Sequence, residues 1–235
     1  MALAMLISSG KEDEAMNAQT VTLADLAVTR PGATRVFLAN SLDFCCGGRR
    51  PLTEACAEKG LNPETILQAI AVADQDGGDL TRWANRSVAE LVDFIVNHYH
   101  ARLRTEIPEL ILLADKVEQV HTDKASCPRG LTALLHTMHA AVLDHLAKEE
   151  QILFPMIRAG RGHGAGGPIH VMEQEHEDHG RSLARLRAVT ADLTAPPEAC
   201  PTWRALYLRL GRLADELMEH IHLENNVLFP RALFE

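Results

Sequence analysis

Two stretches of the chain carry the same spacing of a histidine, a glutamate and a Phe-Pro pair. His145 is followed by Glu149 and then by Phe-Pro at the ninth and tenth positions, and the same order recurs from His220 with Glu224. Residues four apart lie on one face of a helix, so each copy directs an imidazole and a carboxylate the same way. The repeat predicts a duplicated metal-binding helix.

A second pair of histidines is spaced to join the first. His100 lies 45 residues before His145, and His176 lies 44 residues before His220. If the chain forms two similar helical hairpins, four imidazoles and two carboxylates meet at one level of a bundle. Buried carboxylates without partners cost several kcal/mol each, a cost that a bound cation removes.

The duplication favours two metal ions over one. We expect His100 and His145 to hold one ion and His176 and His220 the other, with Glu149 and Glu224 between them as bridges. Nitrogen and carboxylate ligands with open positions suit iron best and manganese next. Zinc usually takes four ligands, which would leave the bridging arrangement unused.

A ferritin-like centre is the main competing metal site. It needs Glu-x-x-His on two helices, and Glu173-x-x-His176 supplies one copy, but Asn97 occupies the corresponding position of the first hairpin. The histidine-rich type is therefore favoured. The remaining histidines are expected to be solvated or hydrogen-bonded: His98, His121, His136, His139, His163, His170, His179 and His222.

The five cysteines do not resemble a disulfide framework, because their number is odd and they are scattered. This favours a reducing compartment and a cytoplasmic location. Cys45 and Cys46 are adjacent and are followed by two glycines. They are either half-buried thiols in a turn or a redox or iron-transfer pair, with a downstream helix N-terminus to lower a thiol pKa. Cys127 is expected to be exposed in a loop, and Cys56 to lie in a core.

Composition and charge exclude several classes of protein. The chain has 235 residues, 46% of them hydrophobic, and a net charge of -9, which argues against nucleic acid or an anionic membrane as partner. Its apolar runs are too short to span a bilayer. Leu and Ala are abundant and strand patterns are nearly absent, so the fold class is all-α.

Helix signals divide the chain into four parts. Residues 1–19 read as a disordered extension, 20–75 as a small helical domain with the Cys-Cys motif, 76–86 as a linker and 87–235 as an antiparallel four-helix bundle. The bundle helices are expected at about 88–120 with a kink at Pro108, 131–159, 168–193 and 202–232. The small domain is marginal alone, so it docks on another surface or pairs with a copy of itself as a homodimer.

Several motifs together resemble a known family over about Thr20 to Leu233. They are Asp43-Phe-Cys-Cys-Gly-Gly, Lys148-Glu-Glu-Gln-Ile-Leu-Phe-Pro, Val171-Met-Glu-x-Glu-His176 and Leu223-Glu-Asn-Asn-Val-Leu-Phe-Pro. This combination is similar to the repair-of-iron-centres family, di-iron proteins with a hemerythrin-like domain. The resemblance implies a hemerythrin-like bundle and repair of iron–sulfur clusters damaged by nitric oxide or peroxide.

The resemblance also implies a cofactor and partners. It assigns two non-haem irons per chain to His100, His145, Glu149, His176, His220 and Glu224, bridged by the two glutamates and an oxo or hydroxo group. Damaged iron–sulfur proteins, nitric oxide or small oxidants, and an electron donor would be the partners. The chain departs from the family at Ala141, where a glutamate is expected one turn before the second histidine. Glu175, the other acidic residue on the path to the metals, is present.

Iron donation is the leading hypothesis, with Cys45 or Cys46 as the docking or transfer ligand. The alternatives are reversible binding of nitric oxide or oxygen for sensing, reduction of nitric oxide at the same centre, and a purely structural metal site. Oxygen carriers of this type usually have five histidines, whereas four lie in register here.

Overall fold

The computed structural model describes residues 20–74 and 86–234, and these ranges contain eight helices. Within them there is no strand, only a bridge between Thr22 and Pro51. The predicted extension (1–19) lies outside the described residues, as does the predicted linker (76–86) apart from Arg86.

Four short helices form the N-terminal unit: α1 (Leu23–Thr29), α2 (Ala33–Ala39), α3 (Leu52–Lys59) and α4 (Pro63–Ala73). Local sequence sets their ends. Thr22 and Asp25 form a capping box on α1, Gly60 ends α3 with a φ of +66°, and Asn62 caps α4. The unit has its own apolar core, built around Phe37 and Phe44.

Four long helices follow: α5 (88–120), α6 (131–158), α7 (Gly166–Val189) and α8 (201–234). α5 packs on α6 and α8, and α7 packs on α6 and α8, which makes a closed four-helix bundle. The loops 121–130 and 190–200 meet at one end, where Ser126 donates a hydrogen bond to Glu198 at 2.6 Å. Short connections between neighbours make the helices antiparallel.

Three bundle helices widen into a short stretch of π-helix. The stretches are Ile95–His100 in α5, Glu149–Leu153 in α6 and Glu224–Leu228 in α8. Each begins or ends at a candidate metal ligand, and such insertions often occur at functional sites. In α6 and α8 the stretch lies just before Pro155 and Pro230, because a widened turn relieves the clash between a proline ring and the carbonyl four residues earlier.

The bundle has two apolar cores, separated along its length by the six candidate ligands. The core towards loops 121–130 and 190–200 includes Leu135, Leu186 and Trp203. The other includes Phe154 and Phe229, the phenylalanines of the repeated Phe-Pro pairs. A fully buried leucine or phenylalanine contributes about 1.5–3 kcal/mol. The two cores therefore hold the polar layer in place from both sides.

The structure corrects two predictions outside the polar layer. α7 ends at Val189 rather than Leu193, because Ala191, Asp192 and Leu193 all adopt positive φ angles that no helix can continue through. Cys127 is only 7% exposed, contrary to the prediction of an exposed thiol, because loop 121–130 folds over the end of the bundle. α5 continues as helix through Pro108.

The N-terminal unit docks on the bundle of its own chain. Met218 of α8 packs against the core of the unit, and Val28 of α1 packs against a core of the bundle. Asn226 Nδ2 donates to the carbonyl oxygen of Phe44 at 3.2 Å, which ties the turn before the cysteines to α8. Among the described helices, none has the length and apolar character needed to cross a membrane.

Candidate metal centre

The six side chains predicted from the repeat converge in the polar layer of the bundle. None is more than 2% exposed, and each of the four helices contributes at least one. α5 supplies His100, α6 supplies His145 and Glu149, α7 supplies His176, and α8 supplies His220 and Glu224.

The six side chains form two overlapping groups of four, each tight enough to hold one ion. His100 and His220 form one group with both glutamates, and His145 and His176 form the other with the same glutamates. The facing Nε2 atoms are 3.2 Å apart in the first pair and 3.1 Å apart in the second. Both glutamates belong to both groups.

The predicted pairing of the histidines was therefore wrong. His100 lies with His220 rather than His145, and His176 lies with His145. Either pairing obeys the twofold relation between the hairpins, so the repeat could not decide between them. His100 of α5 faces His220 of α8, and His145 of α6 faces His176 of α7.

Outer carboxylates orient two of the imidazoles. Nδ1 of His100 is 2.7 Å from Oε1 of Glu150, and Nδ1 of His145 is 3.0 Å from Oε2 of Glu175. An ionised carboxylate can only accept, so in both rings Nδ1 carries the proton and Nε2 offers a lone pair to the centre. Glu150 also pairs with Arg104, and Glu175 with Lys148, so each outer carboxylate has its own cation.

An amide from α8 orients the third imidazole. Nδ2 of Asn225 donates to the carbonyl oxygen of Cys45 at 3.2 Å, which turns Oδ1 towards Nδ1 of His176 at 2.8 Å. Because Oδ1 only accepts, Nδ1 of His176 donates to it, which leaves Nε2 facing the centre. The cysteine turn thus helps to set the tautomer of a candidate ligand.

The fourth imidazole is held by stacking. Tyr99 occupies the position equivalent to Glu175 in the first hairpin, and its ring lies on His220 with centroids 5.5 Å apart. Nδ1 of His220 is buried without a hydrogen bond among the described residues. Two other rings stack on the repeated phenylalanines, His100 on Phe154 and His176 on Phe229.

Two candidate ligands, His100 and His145, have pKa values lowered first by burial and then by a neighbouring imidazole. The pKa of His100 falls to about 4 through burial and His220. The pKa of His145 falls well below its usual value through burial and His176. Both rings are therefore neutral at pH 7, as metal binding requires.

The two inner glutamates have pKa values shifted in opposite directions without a metal. Burial and the charge of Glu224 raise the pKa of Glu149 well above its usual value. Burial would also raise the pKa of Glu224, but His220 and His176 outweigh it and hold that pKa well below the usual value. His220 Nε2 is 2.9 Å from Oε1 of Glu224, and His176 Nε2 is 3.2 Å from Oε2.

The centre has the chemistry of a cation site. Glu149 has no hydrogen bond on either oxygen among the described residues, and Oε2 of Glu224 and Nδ1 of His220 also lack one. Buried polar atoms are normally satisfied, so a concentration of exceptions calls for a missing partner. The residues present therefore fit a metal centre.

The cysteine pair lies beside this centre. Sγ of Cys46 contacts the carbonyl oxygen of His176 at 3.2 Å and lies 3.5 Å from Sγ of Cys45. Gly48 makes the turn possible, because a Cβ there would be 2.3 Å from the carbonyl oxygen of Phe44. The predicted lowering of a thiol pKa is wrong for Cys45, whose pKa is raised by its contact with Cys46 and by burial.

The other singled-out residues lie outside the two groups. Glu173, from the ferritin-like alternative, pairs with Arg49 at 2.9 Å instead of facing the centre. Ala141 is exposed on α6 one turn before His145. His222 is hydrogen-bonded to Asn226. His179 departs from the prediction, since its buried Nε2 has no hydrogen bond within the described residues.

The sequence-based interpretation missed Glu150 and Asn225 as partners of the imidazoles. The two residues occupy equivalent positions of the two copies, since each directly follows an inner glutamate. Nothing in the spacing alone shows that the residue after a ligand reaches back to a neighbouring helix.

Comparison with known families agrees with this architecture. A model described as the hemerythrin HHE cation binding domain matches residues 91–232. A second model, ScdA_N, described as a domain of unknown function, matches residues 19–74. The first covers the candidate ligands and the second covers the cysteine pair.

Curated relatives match nearly the whole chain. The iron-sulfur cluster repair protein YtfE of Dickeya chrysanthemi is 46% identical over 218 residues, covering 93% of this chain and 99% of the relative. YtfE of Musicola paradisiaca is 45% identical over 93% of this chain and 98% of the relative, and YtfE of Escherichia coli O157:H7 is 48% identical over 90% and 96%. The chain therefore belongs to the family of YtfE-type iron–sulfur cluster repair proteins, with a hemerythrin HHE cation binding domain.

Proposed function

We propose that this protein repairs iron–sulfur clusters damaged by oxidative or nitrosative stress by supplying iron from a dinuclear centre. The observation that carries the proposal is a pair of four-residue groups sharing Glu149 and Glu224, placed next to two free thiols. The names of the relatives support cluster repair as the purpose of the centre.

In this proposal each group holds one iron, and the shared glutamates bridge the two. Four imidazole nitrogens and two carboxylates are a donor set that suits iron. The bridging role is supported by distances, because Oε2 of Glu149 lies 3.4 Å from Nε2 of His100 and 3.5 Å from Nε2 of His145. Iron at such a centre supplies a change between ferric and ferrous states.

The surrounding residues favour release as well as binding. Glu150 and Glu175 orient His100 and His145, but Arg104 and Lys148 offset their negative charge. Only Glu149 and Glu224 therefore bring uncompensated negative charge to the ions. A ferritin-type centre supplies more carboxylate ligands. Nδ1 of His220 has no acceptor among the described residues, and the lack of such a partner typically lowers metal affinity 10–100-fold.

The thiols offer a route outward. Cys46 contacts the main-chain carbonyl oxygen of His176, so its thiol lies next to the His145–His176 group. We infer that Cys45 and Cys46 receive iron or dock on the damaged protein, and that Glu175 lines the path. All five cysteines are free, which supports a reducing, cytoplasmic setting.

Transfer of labelled iron tests the proposal. The protein is loaded with ⁵⁷Fe and mixed anaerobically with an iron–sulfur protein whose cluster was damaged by nitric oxide, with a reductant and a chelator that captures free iron. We expect the label to appear in the restored cluster. The control is the same amount of free ⁵⁷Fe²⁺ with chelator and no repair protein.

The same experiment separates the rival functions. Consumption of nitric oxide with evolution of product gas, while the label stays on the protein, would indicate nitric oxide reduction and overturn the donation proposal. A stable gas adduct without transfer would indicate sensing and would overturn it as well.

A further inference from the structure

Three donor atoms outside the dinuclear centre converge on one point. Oδ1 of Asp43 and the Sγ atoms of Cys45 and Cys46 all lie within 4.8 Å of one another. The two sulfurs are 3.5 Å apart, and Sγ of Cys45 is 3.3 Å from Oδ1 of Asp43. None of the six ligands of the dinuclear centre takes part in this cluster.

The spacing matches that of a tetrahedral metal site. With metal–sulfur bonds of about 2.3 Å, two thiolates on one tetrahedral ion are roughly 3.8 Å apart. With a metal–oxygen bond of about 2.1 Å, a sulfur and a carboxylate oxygen are roughly 3.6 Å apart. Both observed distances are within a few tenths of an ångström of these values, so small side-chain rotations suffice.

The turn that carries the donors is already fixed. Oδ1 of Asp43 accepts hydrogen bonds from the backbone N–H of Cys45 at 3.2 Å and of Cys46 at 3.0 Å. Asn225 holds the carbonyl oxygen of Cys45 from α8. The donors are therefore held together before any ion arrives, which reduces the entropic cost of binding.

An approach from solvent exists on the sulfur side. A cavity of about 300 Å³ between the N-terminal unit and α7 is lined by both cysteines and by Glu173 and Glu177. Its carboxylates attract cations. Arg49, which pairs with Glu173 at the rim, has a side chain 86% exposed, so solvent weakens this ion pair.

We propose that Asp43, Cys45 and Cys46 form a second, mononuclear metal site that binds one thiophilic divalent cation through two thiolates and a carboxylate, with its fourth position open to the cavity. Binding replaces the two thiol protons, which pass to water, so the cation gains two sulfur bonds and one oxygen bond. Thiolates select softer ions than the imidazole and carboxylate set of the dinuclear centre does.

The physiological ion in this site would be ferrous iron leaving the dinuclear centre, and that role rests on the proposed function. The existence of the second metal site does not depend on the proposed function. Cys46 contacts the carbonyl oxygen of His176, so a ligand of the proposed site touches a candidate ligand of the dinuclear centre.

Cadmium titration of the iron-loaded full chain tests the site. Cadmium bound to thiolate gives an ultraviolet charge-transfer absorption that imidazole and carboxylate ligands do not give. We expect one equivalent of tightly bound cadmium with this absorption, with iron content unchanged. Cys45→Ser and Cys46→Ser should each weaken binding by at least about tenfold, and together should abolish the absorption.

Two further variants sharpen the test. Asp43→Asn keeps the oxygen that accepts from the turn but removes the anionic ligand, so it should weaken binding while the fold is kept. Cys200→Ser, a partly buried thiol at the other end of the bundle, should change nothing. Retained iron in each variant shows that the bundle is folded.

Absence of the absorption in the wild-type protein would overturn the proposal, as would its survival in the double cysteine variant. Failure of labelled iron to reach a damaged cluster, with the cadmium result intact, would instead remove the transfer role and leave the metal site.

Discussion

The two inner glutamates respond unequally to the same substitution when metal is absent. The pKa of Glu149 is raised, which favours its neutral acid form, and neither of its oxygens has a hydrogen bond among the described residues. Glu224 is held as a carboxylate against two imidazoles, His220 at 2.9 Å and His176 at 3.2 Å. Glutamine resembles a neutral carboxylic acid in shape and charge, so it imitates Glu149 and not Glu224.

This difference predicts unequal changes in the free energy of unfolding for the two variants without metal. At about pH 4.5, where protonation of wild-type Glu149 on folding costs little, Glu149→Gln should change the free energy of unfolding by less than about 1 kcal/mol, the range of a near-neutral substitution. Glu224→Gln removes one partner of a buried charged cluster, which costs about 3–5 kcal/mol. At about 2–4 °C per kcal/mol for a domain of this size, the thermal midpoint falls by roughly 6–20 °C.

With metal, the two variants should behave alike. In the proposed centre each loses a carboxylate that would bridge the ions, so each should lose the coupled pair of ions and the stabilisation that binding provides. At a free metal concentration of about 100 times Kd, that stabilisation is roughly 2.7 kcal/mol.

Calorimetric unfolding of both variants, with and without ferrous iron, measures both effects. Equal destabilisation of the two metal-free variants would refute the assignment of charge states, and so would greater destabilisation by Glu149→Gln. Unchanged iron binding in either variant would refute the bridging role.

The same charge states predict a pH dependence. The folded-state pKa of Glu149 is raised above its ordinary value of 4.5, so its contribution to stability is full below pH 4.5 and is lost as pH rises through the folded pKa. Metal-free Glu149→Gln lacks this loss. Urea titrations from pH 4.5 upward should therefore show the wild-type protein losing stability relative to the variant, and parallel curves would contradict the prediction.

Two further predictions concern orienting residues and thiols. Asn225→Ala removes the acceptor of His176 and should lower the iron affinity about 10–100-fold, measured by equilibrium dialysis. Asn226 contacts no candidate ligand, so Asn226→Ala should leave the affinity unchanged. Equal effects of the two variants would contradict this prediction. Cys200 has a lowered pKa because His121 and then the start of α8 donate hydrogen bonds to it, so it should be alkylated fastest of the five thiols at neutral pH. His121→Phe should move the Cys200 pKa back towards 9 and slow its labelling, and an unchanged rate in that variant would argue against the pairing.

Local signals were sufficient to predict the helices and their caps. Ser87 and Glu90 form a capping box that starts α5 at Val88, the start expected for the first bundle helix. The end of α7 was misplaced because three consecutive residues there take positive φ angles without a glycine, which no local rule anticipates.

The site was predictable in membership and not in geometry. The repeat identified which residues meet, because helical register fixes their height along the bundle. It left open which histidines pair, since His100 faces His220 only through the packing of α5 on α8. The role of Asn225 could not be predicted from the sequence either, because its two partners, Cys45 and His176, are distant in the chain.

Mössbauer spectroscopy with metal analysis on the purified protein tests the central claim most directly. Two irons per chain, antiferromagnetically coupled, are the predicted result, because Glu149 and Glu224 belong to both groups and would join the ions. A single zinc per chain, or two irons without magnetic coupling, would contradict it.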